Sequence, residues 1–326
     1  MVGKIEKNKK GFLQIPFSWI FAIIVGIFIL FLAIYFAYKM ISSGQQEIGA
    51  ETARQIDVLL NPLETSFETS TPLILSSETR IYNKCENTGT FGEQIIQISQ
   101  KSFNKWAEPS VDIGFENKYL FSDDVVEGEK FYLFSVPFEY PFKIANLIIL
   151  TSKEYCFLDA PDEIENDIIQ ENVKFETNEN NCEDESVKVC FSSGNNCDIE
   201  VNIGQGYVDT LKGTPNGVQE PAKQASKDGE KLYFTGNLIY GAIFSSKEIY
   251  ECEVNRLMKR TGQLASLYWD KSSFVRQKSC NSNLDTDLLS LRNSVNEVKT
   301  SEDLSSANLI VEQINNKYDF EECVLW

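Results

Sequence analysis

Few residues in this 326-residue chain could do chemistry, and each must be judged by its companions. Ser102-Phe103-Asn104-Lys105 has the SxxK spacing of acyl-transfer enzymes, in which the lysine helps draw a proton from the serine. The SDN and KTG triplets that accompany such a serine do not occur, and Ser102 closes a run of strand-like alternation, so the spacing reads as coincidence. Gly204-Gln205-Gly206 lacks a third glycine, and Gly236 with Gly241 lacks the following lysine, so neither makes a phosphate loop. Asp123-Asp124, and Asp159 with Asp162 and Glu163, lie close enough in sequence to share a proton or hold calcium weakly. Solvated turns account for them more simply. Histidine is absent, which removes Ser-His-Asp and Cys-His nucleophiles, HExxH zinc sites and mixed Cys/His structural zincs. The sequence therefore assigns no catalytic residue, cofactor or metal.

The cysteines are the other reactive set: Cys85, Cys156, Cys182, Cys190, Cys197, Cys252, Cys280 and Cys323. All eight follow the apolar stretch near the start, and an even count placed there predicts a disulfide framework in an oxidising compartment. Connectivity is open, because eight cysteines allow on the order of a hundred pairings. One local pair has a geometric argument. Residues 187–191 and 198–203 read as strands, and a hairpin turn centred on Ser193-Gly194 would set Cys190 opposite Cys197. A zinc site from Cys182, Cys190 and Cys197 would lack both a CxxC pair and histidine.

The element that must position this framework is an apolar span. No charged residue occurs over 11–38, and 17–37 is almost wholly Ile, Phe, Leu, Ala and Val. About 20 such residues at a rise of about 1.5 Å cross a hydrocarbon layer of roughly 30 Å. Phe17 and Phe28 sit in the lipid-facing stretch, with Trp19 near one end and Tyr35 and Tyr38 near the other, as interfacial belts require. Lys4, Lys7, Lys9 and Lys10 precede the span and only Lys39 follows closely, which places the N-terminus in the cytoplasm. A cleaved signal peptide would have a shorter apolar region ending in small residues, whereas this one runs into Tyr35-Phe36-Ala37-Tyr38-Lys39.

Lys9-Lys10-Gly11 followed at once by apolar residues resembles the class III signal of type IV pilin-like proteins. That resemblance implies cleavage after Gly11 and packing of the apolar helix into a filament. The sequence departs from the pattern at Pro16, where the family has Glu. Three further stretches resemble uncharacterised single-pass membrane proteins of small-genome archaea: Lys10-Gly11-Phe12 with residues 15–21, residues 141–147, and residues 240–245 with Tyr250-Glu251-Cys252. This second resemblance implies a surface location and brings no activity.

Beyond the span the polarity reverses. Residues 1–41 carry a formal +4, while the remainder holds 25 Lys plus Arg against 47 Asp plus Glu, or −22. Such a surface repels nucleic acid, whose binding needs clustered cations. Residues 41–60 have helical character and stop at Asn61-Pro62, which predicts a stalk. Residues 73–82, 94–103, 119–122, 130–136 and 146–151 read as strands of a mainly antiparallel sheet with Cys85 and Cys156 nearby. A short acidic helix is expected over 161–172, a loop over 176–185, and strands at 232–234 and 238–244. Ser245 and Glu248 have capping-box spacing, which predicts a helix to about 270 burying Ile249, Cys252, Leu257, Leu264 and Leu267. Leu284, Leu288, Leu291, Val295 and Val298, then Leu304, Ala307, Val311, Ile314 and Tyr318, predict two antiparallel helices.

The fold class is thus α+β, with a transmembrane helix continuing into a stalk helix, a mainly antiparallel ectodomain and C-terminal helices including an αα-hairpin. The expected segments are a basic cytoplasmic 1–11, a transmembrane 12–41, a stalk 42–62, a β-rich disulfide-containing 63–203, a flexible loop or linker 204–231, and a strand-plus-helical 232–326. The expected function is that of a membrane-anchored extracytoplasmic surface protein with a structural or binding role. Its partners would be the bilayer and other envelope proteins or a second copy, not nucleic acid. A pilin-like assembly subunit and a carboxylate-based surface hydrolase are the alternatives.

Overall fold

The computed structural model describes residues 17–40, 71–102, 104–109, 112–170, 182, 185–191, 197–210, 230–280, 282–318 and 324–326; the expected basic segment and stalk lie outside them. The first helix, α1, spans Phe17–Met40, and its 24 residues reach about 36 Å at the standard rise. It buries none of itself against the rest of the protein, and it is long and apolar enough to cross a membrane. A core helix of a soluble fold would instead be covered.

Seven strands follow: β1 (Thr71–Glu86), β2 (Glu93–Ser102), β3 (Lys105–Trp106), β4 (Ile113–Phe115), β5 (Tyr119–Phe121), β6 (Val125–Glu139) and β7 (Lys143–Thr151). They form one sheet in the order β3-β2-β1-β6-β7-β5, with β4 also on β2; only the β5–β7 pair is parallel. Alternate residues feed two clusters. Tyr132, Phe134, Val136 and Phe138 of β6 enter the main core, while Phe131 and Leu133 enter a smaller cluster on the other face. Both faces are covered, which explains near-continuous apolar runs such as Leu147-Ile148-Ile149-Leu150 where a half-exposed sheet would alternate.

A second sheet, β12-β11-β10-β9-β8, comprises β8 (Tyr155–Leu158), β9 (Val187–Cys190), β10 (Ile199–Asn202), β11 (Tyr207–Thr210) and β12 (Glu230–Tyr233). Helix α2 (Asp162–Gln170) lies between β8 and β9 in the chain. The hairpin expected around Ser193-Gly194 is corrected here. β9 and β10 run parallel, with Val189 opposite Ile199, and the intervening segment 191–198 is long enough to carry the chain back to the starting end. Asp198 holds that return, its N–H donating to Lys188 O and its carboxylate accepting from the Lys188 N–H. The expected loop over 204–231 is corrected at both ends, since β11 and β12 pair antiparallel within this sheet. The segment therefore leaves and re-enters a single sheet; residues 211–229 lie outside the described residues.

The expected strand at 238–244 is a helix, α3 (Leu238–Phe244), and all seven of its residues are buried. A short, wholly apolar run has neither period, so its neighbours decide. Here Tyr240 and Phe244 pack edge-on against Phe134, and Gly241 lets the helix sit on β5, where an added Cβ would come within 2.6 Å of the Phe121 ring. Helix α4 (Lys247–Arg276) runs 30 residues, longer than expected. Its N-cap is Ser246 rather than Ser245, and the Ser246 hydroxyl donates to Asp124 Oδ1 instead of capping. Leu267, expected to be buried, is exposed. Helices α5 (Asp285–Glu297) and α6 (Leu304–Tyr318) follow, joined through a 3-10 turn (Ser301–Asp303). A capping box closes that turn, with Asp303 accepting from the Lys299 and Thr300 N–H groups, which hold its carboxyl below its ordinary pKa.

Candidate functional site

The most heavily built cluster of polar groups joins α4 to the first sheet. Cys252, Arg256, Lys259 and Gln263 are spaced 4, 3, 4 along α4 and so share one helical face. That face meets the turn between β1 and β2. Cys252 is disulfide-bonded to Cys85, with Cα atoms 6.0 Å apart. Lys259 Nζ donates to Asn87 O, and Gln263 Nε2 donates to Thr90 O at 3.4 Å. Arg256 is fully buried and gathers carbonyls from both loops: Nε donates to Phe91 O (3.2 Å), Nη1 to Lys118 O (3.0 Å), and Nη2 to Phe115 O (3.3 Å) and Glu116 O (2.9 Å).

The countercharge is Glu253, one turn back and also fully buried, whose two oxygens lie 3.0 and 2.9 Å from Arg256 Nη1. Arg256 shares its donors among four carbonyls, so this carboxylate receives a single nitrogen. Burial consequently dominates and pushes the Glu253 carboxyl up to about 7, against the pull of the guanidinium. Gly92 completes the fit at a φ of 66°; a Cβ there would meet Glu86 O at 2.5 Å and Arg256 Cγ at 2.9 Å. Buried amides extend the same join, with Asn83 Nδ2 donating to Leu120 O and Ser122 Oγ, and Gln94 Oε1 accepting from the Leu120 N–H. Chemically this is a clamp: every strong donor is engaged by the protein itself.

The acids singled out in the sequence are dispersed. Asp123 lies on the wall of a cleft of about 450 Å3 together with Glu127, Lys153, Glu154 and Glu185, and its Oδ2 is 2.7 Å from Lys153 Nζ. Asp124 is engaged by Ser246, Asp159 sits in a turn at positive φ, and Asp162 and Glu163 open α2. Beside the cleft, Lys130 Nζ donates to the Tyr132 hydroxyl and that hydroxyl to Glu154 Oε1, each at 3.1 Å. No group of three or more acids and cysteines among the described residues is placed to hold a metal ion. Ser102 and Lys105 face each other as register partners across the β2–β3 hairpin, with Asn104 at a φ of 59°. Gly204 and Gly206 fall in the turn between β10 and β11, whereas Gly236 precedes α3 and Gly241 is buried within that helix.

Besides Cys85–Cys252, bridges join Cys156 to Cys182 and Cys190 to Cys197, with Cα separations of 5.8 and 5.9 Å, inside the usual range. Cys280 is also disulfide-bonded, and Cys323 lies outside the described residues. Phe17, Trp19, Phe28, Tyr35 and Tyr38 are all exposed along α1, whereas Lys4, Lys7, Lys9 and Lys10 lie outside the described residues. The sequence reading missed the Glu253–Arg256 pair. Its signal was available in the 4, 3, 4 polar stripe, which resembles a solvated helix face until a cysteine is noticed at its head. No family model matches the chain, and no curated protein or solved structure is similar to it.

Proposed function

We propose that this is a membrane-anchored surface protein whose disulfide-bonded part stands outside the cell and serves a structural or binding role. The observation that carries the reading is α1: a helix of 24 residues, exposed throughout and without a charged residue until Lys39 near its end, followed in the chain by every cysteine. Exposed Ile, Phe and Leu in such number cost about 25 cal/mol per Å2 in water, and lipid removes that cost. Three bridges in the part beyond it fit an oxidising exterior. The lysines before the helix favour a cytoplasmic N-terminus. In this reading α5 and α6 form a hairpin packed inside the molecule, since Leu288, Leu291, Val295, Ala307, Val311 and Ile314 all belong to the main core.

Alkaline carbonate extraction and protease treatment of intact cells test it. The expected result is a chain that stays in the membrane pellet, with an N-terminal tag protected and a C-terminal tag digested. Recovery in the carbonate supernatant, or the opposite protection pattern, overturns it. N-terminal sequencing of the same material separates anchoring from filament assembly, for a chain beginning at Phe12 has been processed as a pilin-like subunit.

A further inference from the structure

We propose that the cleft between the start of β7 and the middle of α4 binds a compact oxyanion, a carboxylate or phosphate group on a ligand about the size of a monosaccharide. This goes beyond anchoring and does not depend on it. The part beyond residue 41 carries −22, and three other described clefts each have carboxylates in their walls: Asp123 and Glu127 in one, Glu78 and Glu129 in the second, Glu163 and Asp167 in the third. Among the described residues, the cleft of about 340 Å3 lined by Asn117, Tyr119, Lys143, Asn146 and Arg260 has no carboxylate and two cations.

Arg260 is the decisive group. It is partly buried on α4, and its neighbours at i±3 and i±4 are Arg256, Leu257, Gln263 and Leu264, none of them acidic. Among the described residues it makes no hydrogen bond or ion pair, although the buried Arg256 one turn earlier uses all its nitrogens. A guanidinium held in a concave wall, its fork unspent on any described residue, matches the two oxygens of a carboxylate or phosphate. The strand opposite leaves room for it. Pairing of β7 with β5 begins only at Leu147, so residues 143–146 extend past the end of β5 and form an open edge. Lys143, which already has a partner within the protein, brings a second positive charge to that edge. Asn117 and Asn146 add carboxamides, which can donate to or accept from hydroxyls flanking an anion. The volume lies at the lower end of small-molecule sites, which sets the ligand size.

The test is calorimetric titration of the full-length chain in detergent micelles with inorganic phosphate and, separately, with D-glucuronate, at ionic strength balanced by chloride. Saturable binding of at least one probe is expected, with Arg260→Glu weakening it about tenfold or more and Arg260→Lys retaining part of it. Lys143→Glu, at an exposed position, supplies a second variant with the same expected direction should Arg260→Glu fail to fold. A preference for glucuronate assigns the carboxylate with its hydroxyls as the ligand chemistry, and a preference for phosphate assigns the phosphate group. Absence of saturable heat with both probes, or unchanged affinity in a folded charge-reversal variant, overturns the proposal. Neither result bears on membrane anchoring, which the extraction experiment reads independently.

Discussion

The two sheets are held by different means. The first is joined to α4 across the chain, by a disulfide spanning a sequence separation of 167 and by a buried arginine that collects carbonyls from two loops. The second is stapled to itself, by bridges spanning separations of 26 and 7. A long-range bridge removes far more freedom from the unfolded chain than a local one. The first sheet is therefore tied to a distant part of the chain, and in the second short segments are held close to one another.

Removing bridges should expose that asymmetry most strongly. Replacing both Cys85 and Cys252 with alanine is expected to cost about 5 kcal/mol on loop-entropy grounds, against about 2 kcal/mol for Cys190 with Cys197. Denaturant titration of each double variant measures both, and equal losses would break the distinction. Next in size is Arg256→Met, which strands four carbonyls around a buried site and should cost about 3–5 kcal/mol in the same assay. A loss under about 1 kcal/mol would mean that the arginine network fills space without holding the join. Gly92→Ala should fall below that, at about 1–3 kcal/mol, because the turn it occupies is both left-handed and crowded by Glu86 and Arg256.

A further effect is a dependence on pH. The folded chain holds the Glu253 proton more tightly than the unfolded chain does, since burial raises its pKa from the ordinary 4.5 to about 7. Its contribution to stability is thus complete below about 4.5 and is lost as pH rises through about 7. Glu253→Gln should flatten stability across that window. An unchanged slope would assign the dependence to other groups.

Much of the architecture was legible because its physics is local. The strands of the first sheet announce themselves through β-branched and aromatic runs, and α5 and α6 through leucines and valines spaced by 3 and 4. What was illegible depends on neighbours distant in sequence. Residues 238–244 are apolar at every position, so nothing within them separates strand from helix; the packing of Phe134 and Phe121 does. The parallel course of β9 and β10 belongs to a sheet in which β8 also pairs β9 in the same sense, from more than 25 residues away. The clamp was hidden for a related reason: an arginine and a glutamate on a helix read as surface until the loops that cover them are known. The cleft at Arg260 could not be read at all, for its walls come from three separate stretches of chain.

The Cys85–Cys252 bond also reroutes mechanical load. Tension entering from the N-terminal side would pass along β1 to Cys85, cross the sulfurs, and continue from Cys252 toward the C-terminus. The long stretch between those cysteines, including most of both sheets, would hang off the load path and stay folded while the ends are pulled. Reduction of that one bond would put the whole stretch back under strain.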